Sequence, residues 1–204
     1  HDALPIWRNT MNLPNKLSII RICLVPVVIA LFLLDAFIPY ARLWATLVFI
    51  LAALTDFADG YIARKYNLIT TLGKFLDSIA DKILVSSSLI LLILAAPTTY
   101  GINLIIAISV IIILIRDLIV NTIRMIVASK NFIMAADMSG KVKTAIQTIA
   151  IPIIMSAQDF GKLLNFNYLY MYTFGLILFL VSIILTITSG IHYFKKGSAV
   201  IKSN

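Results

Sequence analysis

Four aspartates between residues 56 and 81 have a spacing that could gather them around divalent cations. Asp56 and Asp59 are three residues apart, and Asp77 and Asp81 are four apart, so on helices each pair would share a face. Two antiparallel helices joined by a short turn would then aim all four carboxylates into one space. Such a cluster is strongly repulsive unless it is protonated, paired or bound to metal. Hard oxygen ligands suit Mg²⁺ or Mn²⁺, so the pattern predicts a site for one or two such ions.

Small residues accompany these acids. Gly60, Ala63 and Gly73 lie beside the aspartates, although Gly inside a helix costs about 1 kcal/mol relative to Ala. Space for a nucleotide between the helices would explain them. A single Asp near a membrane interface is usually a solvated helix end, but four in helical register with Gly at two places favour a binding site.

A second group of residues could bind a phosphate. Arg116 lies within an apolar run, where an Arg is costly and usually has an anionic partner. Arg124 is about 12 Å further along a helix and about 80° around it, near enough to face the same pocket. With Lys141 and Lys143, these cations could hold a phosphate dianion. Two alternatives stay open: Asp117 is the partner of Arg116, and the two lysines are ordinary membrane-flanking cations.

The elements that must position these residues are membrane helices. The chain is 61% hydrophobic and 13% charged, whereas soluble domains carry about 25% charge. A helix needs about 20 apolar residues to cross the hydrocarbon core, and backbone groups there must be paired internally. The sequence therefore predicts an all-α bundle of six transmembrane helices. The predicted spans are approximately residues 19–37, 43–60, 75–96, 103–128, 142–157 and 168–191.

The distribution of cations predicts the orientation. Two cations, Arg42 and Lys162, flank the spans on one side, and fourteen lie on the other side. Cations concentrate on cytoplasmic loops, so both termini and the long polar connections at 61–74 and 129–141 are expected in the cytoplasm. This also explains the net charge of +8 without nucleic-acid binding. The fourteen are Arg8, Lys16, Arg21, Arg64, Lys65, Lys74, Lys82, Arg124, Lys130, Lys141, Lys143, Lys195, Lys196 and Lys202.

The chain is expected to hold one membrane domain, at residues 11–204. Residues 1–10 do not have the order of a signal peptide and precede Met11, so we interpret them as a cloning remnant or a disordered segment. The single cysteine, Cys23, lies in an apolar run and is predicted to be a buried, inert thiol.

One stretch of the sequence resembles the complete signature of the CDP-alcohol phosphatidyltransferases, with every defined position matched: Asp56-x2-Asp59-Gly60-x2-Ala63-Arg64-x8-Gly73-x3-Asp77-x3-Asp81. The resemblance implies that the four aspartates line a two-metal site. It also implies that Asp81 takes the proton from the attacking hydroxyl, and that the enzyme is a homodimer. Residues implied to border the CDP moiety are Asn15, Ser18, Asp59, Gly60, Ala63, Arg64 and Gly73.

Other stretches resemble the family members that use glycerol 3-phosphate as acceptor. These are Asn12-Leu-Pro14-Asn15-Lys-Leu-Ser18-Ile-Ile-Arg21, Ile115-Arg116-Asp117, Thr122-Ile-Arg124 and Ser139-Gly140-Lys141-Val142-Lys143-Thr144. Ser18 stands where that pattern commonly has Thr, which keeps the hydroxyl. The residues implied to bind the acceptor phosphate are Arg116, Arg124, Ser139, Lys141 and Lys143.

The implied activity is transfer of a phosphatidyl group from CDP-diacylglycerol to glycerol 3-phosphate, in the cytoplasmic membrane of a bacterium. The products would be phosphatidylglycerophosphate and CMP. Two alternatives remain. One is a related enzyme with serine, inositol phosphate or phosphatidylglycerol as acceptor. The other is a divalent-cation transporter, which would have its acids spread through the depth of the membrane.

Overall fold

The structure is a computed structural model that describes residues 13–65, 71–96, 100–129 and 138–202, and over these ranges the chain is helical except at residues 34–40, 96 and 165–167. The side chains of residues 13, 14, 57–65, 71, 72, 74, 97–100, 139 and 199–202 lie outside the description. The predicted all-α fold is confirmed, with six helices in the described part. The helices are α1 Leu13–Leu33, α2 Ala41–Lys65, α3 Thr71–Ala95, α4 Tyr100–Ser129, α5 Met138–Leu164 and α6 Tyr168–Lys202.

Four of the described helices are long and apolar enough to cross a membrane. Their apolar stretches are Asn15–Leu33, Phe75–Ala95, Gly101–Ser129 and Tyr168–Ser198. The protein is therefore a multi-pass membrane protein. The other two helices carry more charge and polarity, because α2 contains the first two aspartates of the signature and α5 contains Lys141, Lys143 and Asp159.

Several helices extend beyond the spans predicted from hydrophobicity. Helix α1 begins at Leu13 instead of near residue 19, and α6 continues to Lys202 instead of ending near residue 191. The prediction from hydrophobicity located only the apolar stretch of each helix, which matches the thickness of the bilayer core. Backbone hydrogen bonding within a helix does not require apolar side chains, so helices continue into the polar interface.

The chain divides into two compact units. The first comprises the described residues of His1–Leu91 together with Gln158–Phe166, and the second comprises those of Leu92–Ala157 and Asn167–Asn204. In the first unit α1 packs against α2. Small residues of α2 allow close approach of the two helices, because an alanine side chain holds the backbones apart only slightly. These residues, all buried, are Ala41, Ala45 and Ala52.

In the second unit α4 packs against α6. Val120, Ile123 and Val127 of α4 form a buried cluster with Tyr193 of α6. On the opposite side of α4, Leu118 and Met125 are 69% and 74% exposed. An apolar surface of this kind is unfavourable in water and suits contact with lipid.

The expected burial of Cys23 is wrong, because its side chain is exposed on α1. After Arg21, the side chains of α1 are apolar on every face of the helix. The sequence around Cys23 therefore does not show which face packs against protein. In a membrane helix the buried face can be the more polar one.

Polar contacts in the first unit organise the start of α2. The Asp35 carboxylate in the turn after α1 pairs with Arg42 at 2.6 Å, and Arg42 also donates a hydrogen bond to the Gln158 side chain at 2.7 Å. The buried Asp159 carboxylate accepts a hydrogen bond from the Leu43 backbone N–H at 3.0 Å. It therefore satisfies one of the N–H groups that the first turn of a helix leaves without an intrahelical partner.

Gly175 marks a close contact between α6 and α5 within the second unit. A Cβ atom at this position would lie 2.7 Å from Ile154 Cγ1 and 2.9 Å from Ile153 Cγ2. We expect Gly175→Ala to lower the free energy of unfolding by about 1–3 kcal/mol, the usual cost of overpacking. Gly101→Ala is the matched control, because a Cβ there meets no atom within 4 Å. Thermal unfolding in detergent measures both, and equal melting temperatures for the two variants would contradict the prediction.

Candidate active site

Two of the four signature aspartates meet at one cation. Arg21 of α1 donates from Nη1 to the Asp56 carboxylate of α2 at 2.5 Å. The same nitrogen donates to the Asp77 carboxylate of α3 at 3.3 Å. Three helices therefore bring their charged side chains to one point, and the two aspartates, 21 positions apart in the chain, lie close together.

The three side chains differ sharply in exposure. Arg21 is 0% exposed, whereas the side chains of Asp56 and Asp77 are 42% and 50% exposed. The guanidinium group therefore approaches the carboxylates from the protein interior and leaves part of each carboxylate accessible. An accessible carboxylate pair can accept a further cation.

Arg21 belongs to a polar stripe on α1. Asn15 and Ser18 are 1% and 2% exposed and precede Arg21 at intervals of three residues, so all three lie on one face of the helix. Further along, the same face is apolar, with Val25 and Val28 buried. Asn15 and Ser18, two of the residues predicted to border CDP, thus share a buried face of α1 with Arg21, which pairs with Asp56 and Asp77.

The other residues of the signature lie on the same helices. On α3, Gly73 is partly buried one turn before Asp77, and Asp81 is exposed one turn after it. Asp59, Gly60, Ala63 and Arg64 lie in the last turns of α2, and their side chains are outside the described residues.

The structure thus places Asp56 beside Asp77, while the convergence of all four carboxylates remains a prediction. The described side chains, which do not include that of Asp59, form no group of three or more His, Cys, Asp or Glu that could hold a metal. The described donors nevertheless suit a divalent cation. Two partly exposed carboxylates from separate helices are hard oxygen ligands of the kind that Mg²⁺ and Mn²⁺ prefer.

A second charged cluster lies in the other unit, on α4 and α5. The Asp117 carboxylate accepts hydrogen bonds from Lys143 Nζ at 2.7 and 3.0 Å. It also pairs with Nη1 of the adjacent Arg116 at 3.0 Å. The Lys143 and Arg116 side chains are only 4% and 15% exposed. Asp117 therefore holds two mostly buried cations together.

Helix α6 fixes the rest of the Arg116 side chain. The Arg116 Nε–H donates to the Thr186 carbonyl at 3.2 Å, and Arg116 Nη2 donates to the Ser189 hydroxyl at 2.6 Å. The guanidinium carbon lies 5.9 Å from the centre of the Tyr193 ring. Gly190 leaves room for the side chain, since a Cβ there would be 3.0 Å from Arg116 Cγ.

Two of the remaining residues predicted to bind the acceptor phosphate, Arg124 and Lys141, are not part of this cluster among the described residues. Arg124 and Lys141 are both exposed, and within the described residues neither pairs with Asp117. The side chain of Ser139 lies outside the description. The structure thus gathers Arg116 and Lys143, and it supplies the anionic partner that the sequence left open for Arg116.

Comparison with known proteins supplies the family. The model of the CDP-alcohol phosphatidyltransferases matches residues 11–188. The chain belongs to this family. It is therefore a phosphatidyltransferase, and the resemblance predicted from the aspartate signature is confirmed.

Its relatives in the family cover almost its whole length. A protein of Bacillus subtilis (strain 168) is 36% identical over 95% of this chain and 98% of its own length. One from Rickettsia bellii (strain RML369-C) is 38% identical over 90% of this chain and 94% of its own length. One from Haemophilus influenzae is 35% identical over 92% of this chain and 95% of its own length. All three are named CDP-diacylglycerol–glycerol-3-phosphate 3-phosphatidyltransferase.

Sequence reasoning missed two features of this phosphatidyltransferase. Arg21 was counted among the cytoplasmic cations and lies in the N-terminal stretch that resembles the family, but no partner was predicted for it, although it lies in an apolar run and, like Arg116, needs an anionic partner there. Asp117 was considered as a partner of Arg116 but not of Lys143. The signal for Arg21 was present in the sequence; the signal for the Asp117–Lys143 pair was not, because the two residues are 26 positions apart on different helices.

Proposed function

We propose that this protein transfers the phosphatidyl group of CDP-diacylglycerol to glycerol 3-phosphate. The observation that carries the proposal is the meeting of Asp56 and Asp77, two aspartates of the family signature, with part of each carboxylate accessible. The names of the relatives support glycerol 3-phosphate as the acceptor. The products are phosphatidylglycerophosphate and CMP.

The reaction is a direct displacement at the lipid-side phosphorus. A hydroxyl oxygen of glycerol 3-phosphate forms a new bond to this phosphorus, and the bond from phosphorus to the bridging oxygen breaks. CMP leaves with that oxygen and its electron pair. Asp81 accepts the proton of the attacking hydroxyl, and its exposed position on α3 is compatible with this role.

The signature aspartates bind the divalent metal. Asp56, Asp59, Asp77 and Asp81 are the ligands in this proposal, and the ions are two Mg²⁺ or Mn²⁺. When bound, such ions neutralise negative charge that develops on a diphosphate as it is cleaved. The accessible carboxylate pair of Asp56 and Asp77 supports this assignment.

The nucleotide part of the donor lies beside the same helices. The buried polar face of α1 supports contacts from Asn15 and Ser18, which can donate and accept hydrogen bonds. Gly60, Ala63 and Gly73 have small side chains, which would leave space for the CDP moiety. The set proposed for CDP is Asn15, Ser18, Asp59, Gly60, Ala63, Arg64 and Gly73.

The phosphate of the acceptor binds to the cations of the second unit. Arg116 and Lys143 carry two positive charges against the single charge of Asp117, so the cluster keeps a net positive charge. Because both side chains are mostly buried, their attraction for a phosphate dianion is screened less than at an exposed site. Arg124, Ser139 and Lys141 complete the proposed set.

The enzyme works in the cytoplasmic membrane of a bacterium as a homodimer, with six spans and both termini in the cytoplasm. The bacterial relatives and the apolar helices support the location. The excess of fourteen cations over two supports the orientation. The active site then faces the cytoplasm, where CDP-activated lipid and glycerol 3-phosphate meet.

An acceptor panel tests the proposal. Purified protein in detergent with Mg²⁺ or Mn²⁺ and CDP-diacylglycerol should release CMP when glycerol 3-phosphate is added, and release should stop when a chelator removes the metal. Serine should give less than about 1% of that rate, because it has no phosphate to pair with the buried Arg116 and Lys143. Inositol phosphate and phosphatidylglycerol should also release less CMP than glycerol 3-phosphate does. Release with one of these acceptors instead would identify a related enzyme. No release with any acceptor, combined with metal uptake into vesicles, would favour the transporter.

A further inference from the structure

We infer that Arg21 is a positioning residue, which orients Asp56 and Asp77 for metal binding from the side opposite the metal. The inference rests on the proposed function, since it assigns these aspartates as ligands. It adds a residue of α1 that lies outside the aspartate signature. The observation behind it is one guanidinium nitrogen shared by two carboxylates of different helices.

The direction of approach supports a positioning role. Arg21 is 0% exposed, and its side chain is the largest that is fully buried in the described part of the protein. The side chains of Asp56 and Asp77 are about half exposed, although the guanidinium group that contacts both is fully buried. A ligand that is hydrogen-bonded from behind keeps its remaining oxygen lone pairs for a metal, and such supporting contacts usually orient metal ligands.

Packing fixes Arg21 independently of the aspartates. The residue continues a stripe of buried positions on α1, between Ser18 and Val25, on the helix that packs against α2. Because the whole side chain is buried, neighbouring atoms restrict its rotamers, and the guanidinium group cannot turn towards solvent without disturbing this packing. A rigid donor of this kind limits the orientations of the two carboxylates, and preorganised ligands bind metal more tightly.

A purely structural explanation makes a different prediction. A buried Arg needs counter-charges, and the aspartates could serve only to neutralise it. In that case removal of the cation would relieve repulsion with an incoming metal, and affinity would rise. If Arg21 positions the ligands, loss of orientation outweighs the relieved repulsion, and affinity falls. The sign of the change therefore separates the two explanations.

The experiment measures Mn²⁺ binding to purified protein, without substrates, by the EPR signal of free Mn²⁺. We expect Arg21→Gln to weaken binding about 10–100-fold, the usual effect of losing a group that orients metal ligands. Arg21→Lys keeps the charge but not the planar fork, so it should recover part of the affinity. The matched control is Arg42→Gln, because Arg42 is also a mostly buried, ion-paired arginine of the first unit. It is about 20 Å from Asp56 along α2 and should change affinity less than twofold.

Each outcome decides the matter. Tighter or unchanged Mn²⁺ binding by Arg21→Gln overturns the inference, provided that thermal unfolding shows a folded protein. If Arg21→Gln does not fold, Arg21→Lys decides: an affinity equal to the wild type is then the contrary result. If the wild-type protein itself binds no Mn²⁺, the metal assignment fails and the inference fails with it. Wild-type binding with unaltered variants would leave the proposed function standing while removing Arg21 from it.

Discussion

We expect Asp77→Asn to release CMP at least about 10³-fold more slowly than the wild-type protein, at saturating CDP-diacylglycerol and glycerol 3-phosphate. The substitution keeps the size of the side chain and removes the charge that binds metal. Metal assistance contributes several kcal/mol of transition-state stabilisation, and a loss of about 4 kcal/mol corresponds to about 10³ in rate. Asp56→Asn should behave in the same way, because its carboxylate shares Arg21 with Asp77.

The control for these variants is Asp35→Asn. Asp35, in the turn between α1 and α2, is also a partly exposed aspartate paired with an arginine, but its partner is Arg42 at the start of α2. Arg42 is about 20 Å from Asp56 along α2, so this variant should retain nearly all activity. Because Arg21 loses a counter-charge in Asp77→Asn, thermal unfolding must show that the variant is folded. A folded Asp77→Asn protein with normal turnover would remove the metal site from the proposal.

We expect Lys143→Met to raise the KM for glycerol 3-phosphate and to lower kcat/KM for this acceptor by about 10²-fold. Truncating one partner of a buried, hydrogen-bonded charge pair costs about 2–5 kcal/mol, and about 2.7 kcal/mol corresponds to this factor. The KM should rise because the Asp117 carboxylate would lose one of its two cations and would then repel the acceptor phosphate. The KM for CDP-diacylglycerol should stay within about twofold.

The control is Lys162→Met, in which an exposed lysine at the end of α5 is lost. Its side chain is 70% exposed and lies 3.7 Å from Asp159, so the variant should have wild-type kinetics. Lys143→Arg keeps the charge and should recover part of the acceptor affinity. An unaltered KM for glycerol 3-phosphate in folded Lys143→Met would show that Lys143 pairs with Asp117 but does not bind the acceptor phosphate. The acceptor phosphate would then have to bind elsewhere.

The character of the helices and the position of the signature were predictable because both depend on local sequence. Apolar stretches of about 20 residues predict membrane helices whatever packs beside them. The spacing of Asp56, Asp59, Asp77 and Asp81 predicts two acidic helix faces in the same local way. The helix ends were less predictable, since α1 and α6 continue past their apolar stretches.

The partners of the charged residues were not predictable, because they depend on how each helix is rotated about its axis. After Arg21, α1 is apolar on all sides, so this part of its sequence gives no sign of the buried face, which is why Cys23 was expected inside and lies outside. Only packing turns Asn15, Ser18 and Arg21 inward. The same holds for Lys143, whose contact with Asp117 joins residues from different helices.

By itself, therefore, the sequence determined that this is a helical membrane phosphatidyltransferase with its aspartates on two successive helices. Local periodicity and hydropathy contain the helical and membrane character and the acidic helix faces, whereas the activity was implied by the resemblance of the aspartate spacing to the family signature. The tertiary structure alone decided that Arg21 lies behind Asp56 and Asp77, and that Asp117 joins Arg116 to Lys143. These contacts arise from long-range packing, in which a buried charge must find an opposite charge wherever the neighbouring helix presents one.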